Sequence, residues 1–209
     1  MHPNQIFRTT PEARSLTFAR DRAFGVLAIS SSRGAPLLSH VPYLLSDDGG
    51  SADLHLVRSN PLVGASKDGV AATLAISGAD GYVSPDWYGL GPDQVPTWNY
   101  VAVHLTGRLD PLPPDTLPDM LARQSAFFES RLLPKPPWNM DKMSDDLKTR
   151  FLRMILPFRL HIAQVDSTWK LGQNKPDAAR ESAAARLDDG FGQDLGALAA
   201  LMRAPQPPD

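Results

Sequence analysis

Cysteine is missing altogether from the 209 residues. That absence excludes disulfides, thiolate nucleophiles and cysteine-ligated metal centres. No run approaches the ~18 apolar residues that would span a bilayer. The opening segment, MHPNQIFRTTPEARS, lacks an apolar stretch flanked by basic residues and so does not read as a signal peptide. Charge of either sign is not in excess: the formal net charge is −2, whereas a duplex-binding surface calls for a basic face. Catalytic signatures are equally scarce. The chain has no P-loop, G-x-G-x-x-G, H-E-x-x-H or G-x-S-x-G, and its five histidines lack ligand spacing. The acids lie mainly in turns and on helix faces, with no pair placed for acid–base work. The expectation is a cytoplasmic protein with no membrane partner, no catalytic set and no metal.

What is present is concentrated. Residues 82–104, YVSPDWYGLGPDQVPTWNYVAVH, hold two of the four tryptophans and three of the four tyrosines. Aromatics at that density, broken by Pro and Gly, do not form a helix face. They read as two strands joined by a shaped loop that presents flat rings, a wall suited to a planar ligand.

The chain is long enough for one domain with a real core, or one with a helical appendage. Thr10, Pro11 and Glu12 form a helix start, and that helix is predicted to run to about residue 22. Strands are predicted at 24–30 and 36–45, separated by the turn SSRGA, and at 52–58 after the turn SDDGGSAD. A short helix follows from Asn60 and Pro61, then strands at 70–77 and 81–84. Residues 97–109 form the clearest strand, with Val101, Val103, Leu105 and Leu109 on one face and Trp98, Tyr100, His104, Thr106 and Arg108 on the other. Alternation puts Asn99 on the apolar side, where its amide must find partners, and the preceding loop is the expected one. Helices are predicted at about 115–131 and 144–156, the second ended by Pro157. Strand returns at 158–165, and 176–187 and 191–203 read as Ala-rich helices. Strands in adjacent pairs with helices inserted late argue for an α+β, mainly β architecture built on an antiparallel barrel. The expected organisation is a barrel domain over 1–175 with inserted helices at about 114–156, then a helical extension and the Pro-rich tail APQPPD over 176–209.

Four groups of residues are candidates for chemistry. In HLVRSNP, residues 55–61, a strand ends in Arg58, and Ser59 and Asn60 lead into a helix beginning at Pro61. Helix N–H groups, the Arg58 charge and the Ser59 hydroxyl suit a phosphate. The alternative is that Asn60 merely caps the helix and Arg58 is solvated. In LSHVPYLL, Pro42 marks an edge or bulge, and His40 is either a structural histidine or a site residue. Trp98, Tyr100 and His104 share a strand face, which is either a ligand wall or an aromatic core layer or dimer contact. WKLGQNKP brings together Trp169, Lys170, Gln173, Asn174 and Lys175, either as phosphate- or flavin-edge ligands or as an exposed turn.

These blocks, in this order, resemble the PaiB-type family of FMN-binding negative transcriptional regulators, and the resemblance covers about residues 1–187. It implies the antiparallel split β-barrel of FMN-binding proteins with peripheral helices, usually a homodimer with flavin at the subunit interface. It implies that the strand-to-helix corner holds the FMN phosphate, and that His40 and Val41 lie along the flavin. On that basis the cofactor-binding set is His40, Val41, His55, Arg58, Ser59, Asn60, Trp98, Tyr100, His104, Lys170, Gln173 and Asn174. Gly172 stands where the family usually has Ser, and the loop GLGPDQ is shorter than the family's and lacks its Lys. DNA is implied as a partner by the resemblance alone, because the segment PKPPWNMDKM, residues 134–143, is far longer than the ~3–4-residue turn of a helix-turn-helix. The other readings are an FMN-dependent oxidoreductase using NAD(P)H on a small molecule, a haem-binding relative, and a dimer whose aromatic face is only an interface.

Overall fold

The computed structural model describes residues 1–31 and 34–205. Ser32 and Arg33 of the expected SSRGA turn, and the last four residues of the Pro-rich tail, lie outside the described residues. The strands are β1 (Phe24–Ser31), β2 (Gly34–Leu45), β3 (Ser51–Val57), β4 (Val70–Val83), β5 (Thr97–Pro111), β6 (Ile155–Lys170) and β7 (Gly192–Gln193). The helices are α1 (Glu12–Arg22), α2 (Pro61–Ala65), α3 (Leu117–Glu129), α4 (Asp145–Leu152), α5 (Asp177–Ala185) and α6 (Leu195–Arg203). The hydrogen-bonded order is β1-β2-β3-β6-β5-β4-β7, and β1 also pairs with β4, so six strands close on themselves. The fold is an antiparallel split β-barrel with peripheral helices: the strand pattern predicts the antiparallel barrel, and the family resemblance its split form. Among the described residues no helix is long and apolar enough to cross a membrane.

The chain forms two compact units that are each discontinuous in sequence. One comprises Met1–Phe18, Ile76–His104 and Val165–Asp209. Its core holds Val83, Tyr88, Val101 and Trp169 under the alanines of α5 and the Leu198 and Met202 side chains of α6. Asn99 is fully buried there. Its Nδ2 donates to Met202 Sδ (3.4 Å) rather than to the preceding loop, and its Oδ1 has no partner.

The other unit comprises Ala19–Ala75 and Leu105–Gln164. Leu27, Ile29, Tyr43, Leu54, Leu74 and Phe158 fill its barrel interior, each worth ~1.5–3 kcal/mol of burial. α1 ends at Arg22, and Ala23, directly after it, takes a left-handed φ of 49°. The Tyr43 N–H donates to the Ala23 carbonyl (3.0 Å) and the Tyr43 hydroxyl to the Ala19 carbonyl (2.5 Å), so one residue of β2 grips the last turn of α1. Burial raises the Tyr43 hydroxyl's pKa, slightly opposed by Arg22, which keeps it a donor.

Three elements differ from the sequence pattern. Residues 70–77 and 81–84 are predicted as two strands but form one, β4. Gly78 serves close packing rather than a turn, since a Cβ there would lie 2.8 Å from the Phe18 ring and 3.0 Å from Val101. Pro157 does not end a helix: α4 stops at Leu152, and β6 carries Pro157 opposite His55. The Pro157 carbonyl accepts from Leu112 N–H (3.0 Å), so the strand needs only an acceptor there. Residues 191–203 are not helical throughout, because Gly192, at φ 154°, forms the short β7 against Asp80 and Gly81 before α6 begins.

Candidate functional site

The strand-to-helix corner lies at the end of β3. Asn60 caps α2: its Oδ1 accepts from Leu62 N–H (3.0 Å) and its Nδ2 donates to Ser39 Oγ (3.0 Å) on β2. The helix N–H groups expected to face an anion are already used. Pro61 has none, Leu62 is bonded to the Asn60 side chain, and Val63 N–H donates to the Asn60 carbonyl (3.0 Å). The anion handles are therefore side chains. Arg58 is exposed but anchored, since its Nε donates to the Arg153 carbonyl (2.5 Å). Ser59 is exposed beside it, and Ser39, accepting from Asn60, keeps its own hydroxyl proton for a ligand.

Beside this corner opens a cavity of about 830 Å³, lined by Ser30, Ser31, Ala35, Leu37, Pro61, Gly64 and Ala65. Its small side chains leave room, and a Cβ on Gly64 would meet nothing within 4 Å. The volume lies inside the ~300–1,000 Å³ of cofactor clefts. Hydroxyls, a guanidinium and an open cavity fit the phosphate and body of FMN.

On β2, His40 is exposed and stacks on the ring of Phe24 (centroids 6.3 Å, 28°). Val41 is 2% exposed and faces the barrel interior, so a ligand meets only its main chain. His55 lies on the face of β3 turned to α3, near Gln124, and its Nδ1 has no hydrogen-bond partner among the described residues. Desolvation lowers its pKa, and the Gln124 contact offsets that only in part.

The remaining expected residues belong to the other unit. Trp98 Nε1 donates to Asp80 Oδ1 (3.1 Å), and its indole meets Tyr82 and Phe191 edge-on at 6.4 and 5.6 Å. Tyr100 and His104 follow on the same half-buried face. Burial lowers the pKa of His104, as does the terminal ammonium, against the opposing charge of Asp166. Lys170 donates to Thr97 Oγ1 and lies 5.8 Å over the Phe7 ring, and desolvation lowers its pKa. Gln173 is tied within its own turn, accepting from Leu171 N–H (2.8 Å) and donating to the Trp169 carbonyl (2.5 Å). Asn174 is exposed, while Trp169 is buried in the core, so only part of WKLGQNKP is a surface turn.

Sequence reasoning missed Ser39, whose role depends on β2 lying beside α2. It also missed Asp53. This carboxylate, 6% exposed, accepts a forked pair from Arg159 Nε (2.6 Å) and Nη2 (2.9 Å) and a third bond from Arg123 Nη2 (3.1 Å). Burial pushes its pKa up, but the two guanidiniums more than offset this and hold it below the ordinary carboxylate value. The signal in the sequence was a charge among alternating leucines. It becomes legible only once Asp53 and Arg159 are known to be cross-strand partners.

Comparison with known proteins agrees with this architecture. The sequence profile described as "Putative FMN-binding domain" matches residues 1–164. Protease synthase and sporulation protein PAI 2 of Bacillus subtilis (strain 168) is 27% identical over 177 residues, covering 84% of this chain and 83% of its own. The FAD and heme binding protein from Mycobacterium smegmatis superposes with a TM-score of 0.59 at 17% identity, covering 89% of this chain and 82% of that one. The flavocytochrome Anf3 from Azotobacter vinelandii gives 0.54 at 11% identity, covering 81% and 72%. These two structures support the fold. The chain belongs to the FMN-binding domain family of PaiB-type proteins, and FMN is the cofactor of that family's domain.

Proposed function

We propose that the chain is an FMN-binding homodimer of the regulator type, sensing flavin occupancy or redox state and acting on expression without reading DNA itself. The observation that carries this reading is the corner of Arg58, Ser59 and the Asn60–Ser39 pair beside an open cavity of about 830 Å³. Bound FMN supplies the redox chemistry, and the protein binds and orients it. Arg58, fixed through Nε, would turn the rest of its fork to the phosphate. Ser39 and Ser59 would donate hydroxyls to the same group.

Dimer formation is supported by apolar surface that a single chain leaves in water. Phe24, Leu38 and Trp98 are 44%, 61% and 40% exposed, and Phe191 is 61% exposed. Absence of DNA reading is supported by the net charge of −2 and by the segment 130–144, which separates α3 from α4. Direct affinity for duplex DNA is expected near ~10⁻⁴–10⁻⁶ M at physiological salt, with no sequence preference. A fragment bound at nanomolar affinity over random duplexes would refute it.

Titration of flavin-free protein with FMN and riboflavin tests the site. Arg58→Ala is expected to weaken FMN by ~1.5–3 kcal/mol and leave riboflavin unchanged, since it removes a charge-assisted hydrogen bond to phosphate alone. Equal weakening of both ligands would remove Arg58 from the phosphate site. Sedimentation that finds a stable flavin-loaded monomer would remove the dimer.

A further inference from the structure

We propose that the helical insert between β5 and β6 holds a second binding site, for a small carboxylate with an apolar body. A cavity of about 270 Å³ lies between α3, α4 and the segment joining them. The space is a cleft lined mainly by apolar side chains, the kind of surface on which small-molecule sites are built. Its volume falls just under the ~300–1,000 Å³ of sites for drug-sized molecules, which sets the ligand as a smaller one. Trp138, Met140, Met143 and Phe151 make the wall apolar. The two thioethers can adjust to chains of different shape. Trp138 and Phe151 are 37% and 52% exposed, so the wall opens to solvent.

The polar groups select the head of the ligand. Ser125 contributes a hydroxyl, and among the described residues Lys148 is the only charged one lining the cavity. Lys148 is 28% exposed, so its stem lies along the wall with the ammonium at the edge. Its ion-pair partner, Asp145, stands 3.5 Å away with a side chain 99% exposed. Such a solvated pair is worth ~0–1 kcal/mol and yields readily to a carboxylate that brings apolar area with it. An apolar pocket with one available cation at its edge matches an amphipathic anion in both shape and charge. No residue named for the flavin site lines it, so the inference stands apart from that reading.

Isothermal titration of the full chain with octanoate and with 1-octanol tests it, on flavin-loaded and flavin-free protein alike. Saturable octanoate binding is expected, at least ~10-fold tighter than 1-octanol. Lys148→Met should abolish that preference by weakening octanoate and leaving 1-octanol unchanged. Ser125→Trp should fill the cavity and remove both, with FMN binding intact. If Ser125→Trp does not fold, Lys148→Met still decides the matter. No saturable octanoate binding, equal affinity for the two probes, or an unchanged preference in Lys148→Met would overturn the proposal.

Discussion

Asp53→Ala is expected to lower stability by about 2–4 kcal/mol, measured by urea unfolding at neutral pH. Removing one member of a buried ion group costs ~3–5 kcal/mol when the remaining charge is left uncompensated. The lower range applies because Arg123 and Arg159 are 45% and 37% exposed and regain water once released. The loss falls where β3 meets β6 and where α3 meets the barrel, since Arg159 lies on β6 and Arg123 on α3. Replacing the pair together, as Asp53→Leu with Arg159→Met, should recover much of the loss, because Arg123 keeps its second ion pair, to Asp119 (2.8 Å), and no other charge of the cluster remains. The sign of the pH effect follows from the depressed pKa of Asp53 in the folded state. Its contribution is present above the ordinary aspartate value of ~3.9 and is lost as pH falls through the folded pKa. The acid limb of stability against pH should therefore be shallower in Asp53→Leu/Arg159→Met than in the parent. An unchanged acid limb would mean the cluster is not linked to folding.

Gly107→Ala is expected to prevent accumulation of folded protein, although it adds one methyl group. A Cβ at position 107 would lie 1.8 Å from the His161 carbonyl oxygen and 3.1 Å from the Ala163 nitrogen. Both are main-chain atoms of β6, so no side chain can rotate away. The strands must separate or shift register, and a shift by one residue turns every side chain to the opposite face. Soluble expression and circular dichroism check this directly. A variant that melts within a few degrees of the parent would show that β5 and β6 can part locally at little cost. Gly64→Ala is the control: it faces open space and should fold normally.

Much of this barrel was legible because its strands obey a period of two. Val101, Val103, Leu105 and Leu109 keep that period, interrupted only at Gly107, and all four are buried. Local rules failed where a residue had two uses. Gly78 and Pro157 both signal interruption, yet each sits within a strand: Gly78 because the Phe18 ring leaves no room for a Cβ, and Pro157 because the strand uses only its carbonyl, which accepts from Leu112 N–H. The site was legible as a set of blocks rather than as contacts. The cap by Asn60 follows from residues 60–62 alone, whereas its second bond, to Ser39, crosses 21 residues of chain and needs the fold. Gln173 looked available because nothing in the sequence shows that its amide closes its own turn.

The grip of Tyr43 on the end of α1 bears on the order in which the barrel forms. Its hydroxyl contact spans 24 residues, whereas β3 pairs with β6 from Ser51–His161 to Val57–Ile155, across all the chain between them. Closing the shorter loop costs less chain entropy, so α1, β1 and β2 can assemble before β6 arrives. Tyr43→Phe should then slow refolding, while Arg159→Met should chiefly speed unfolding. Stopped-flow kinetics would resolve the two limbs. A corner that fixes a helix to a hairpin in the native state thereby sets the rate at which the rest of the sheet finds its edge.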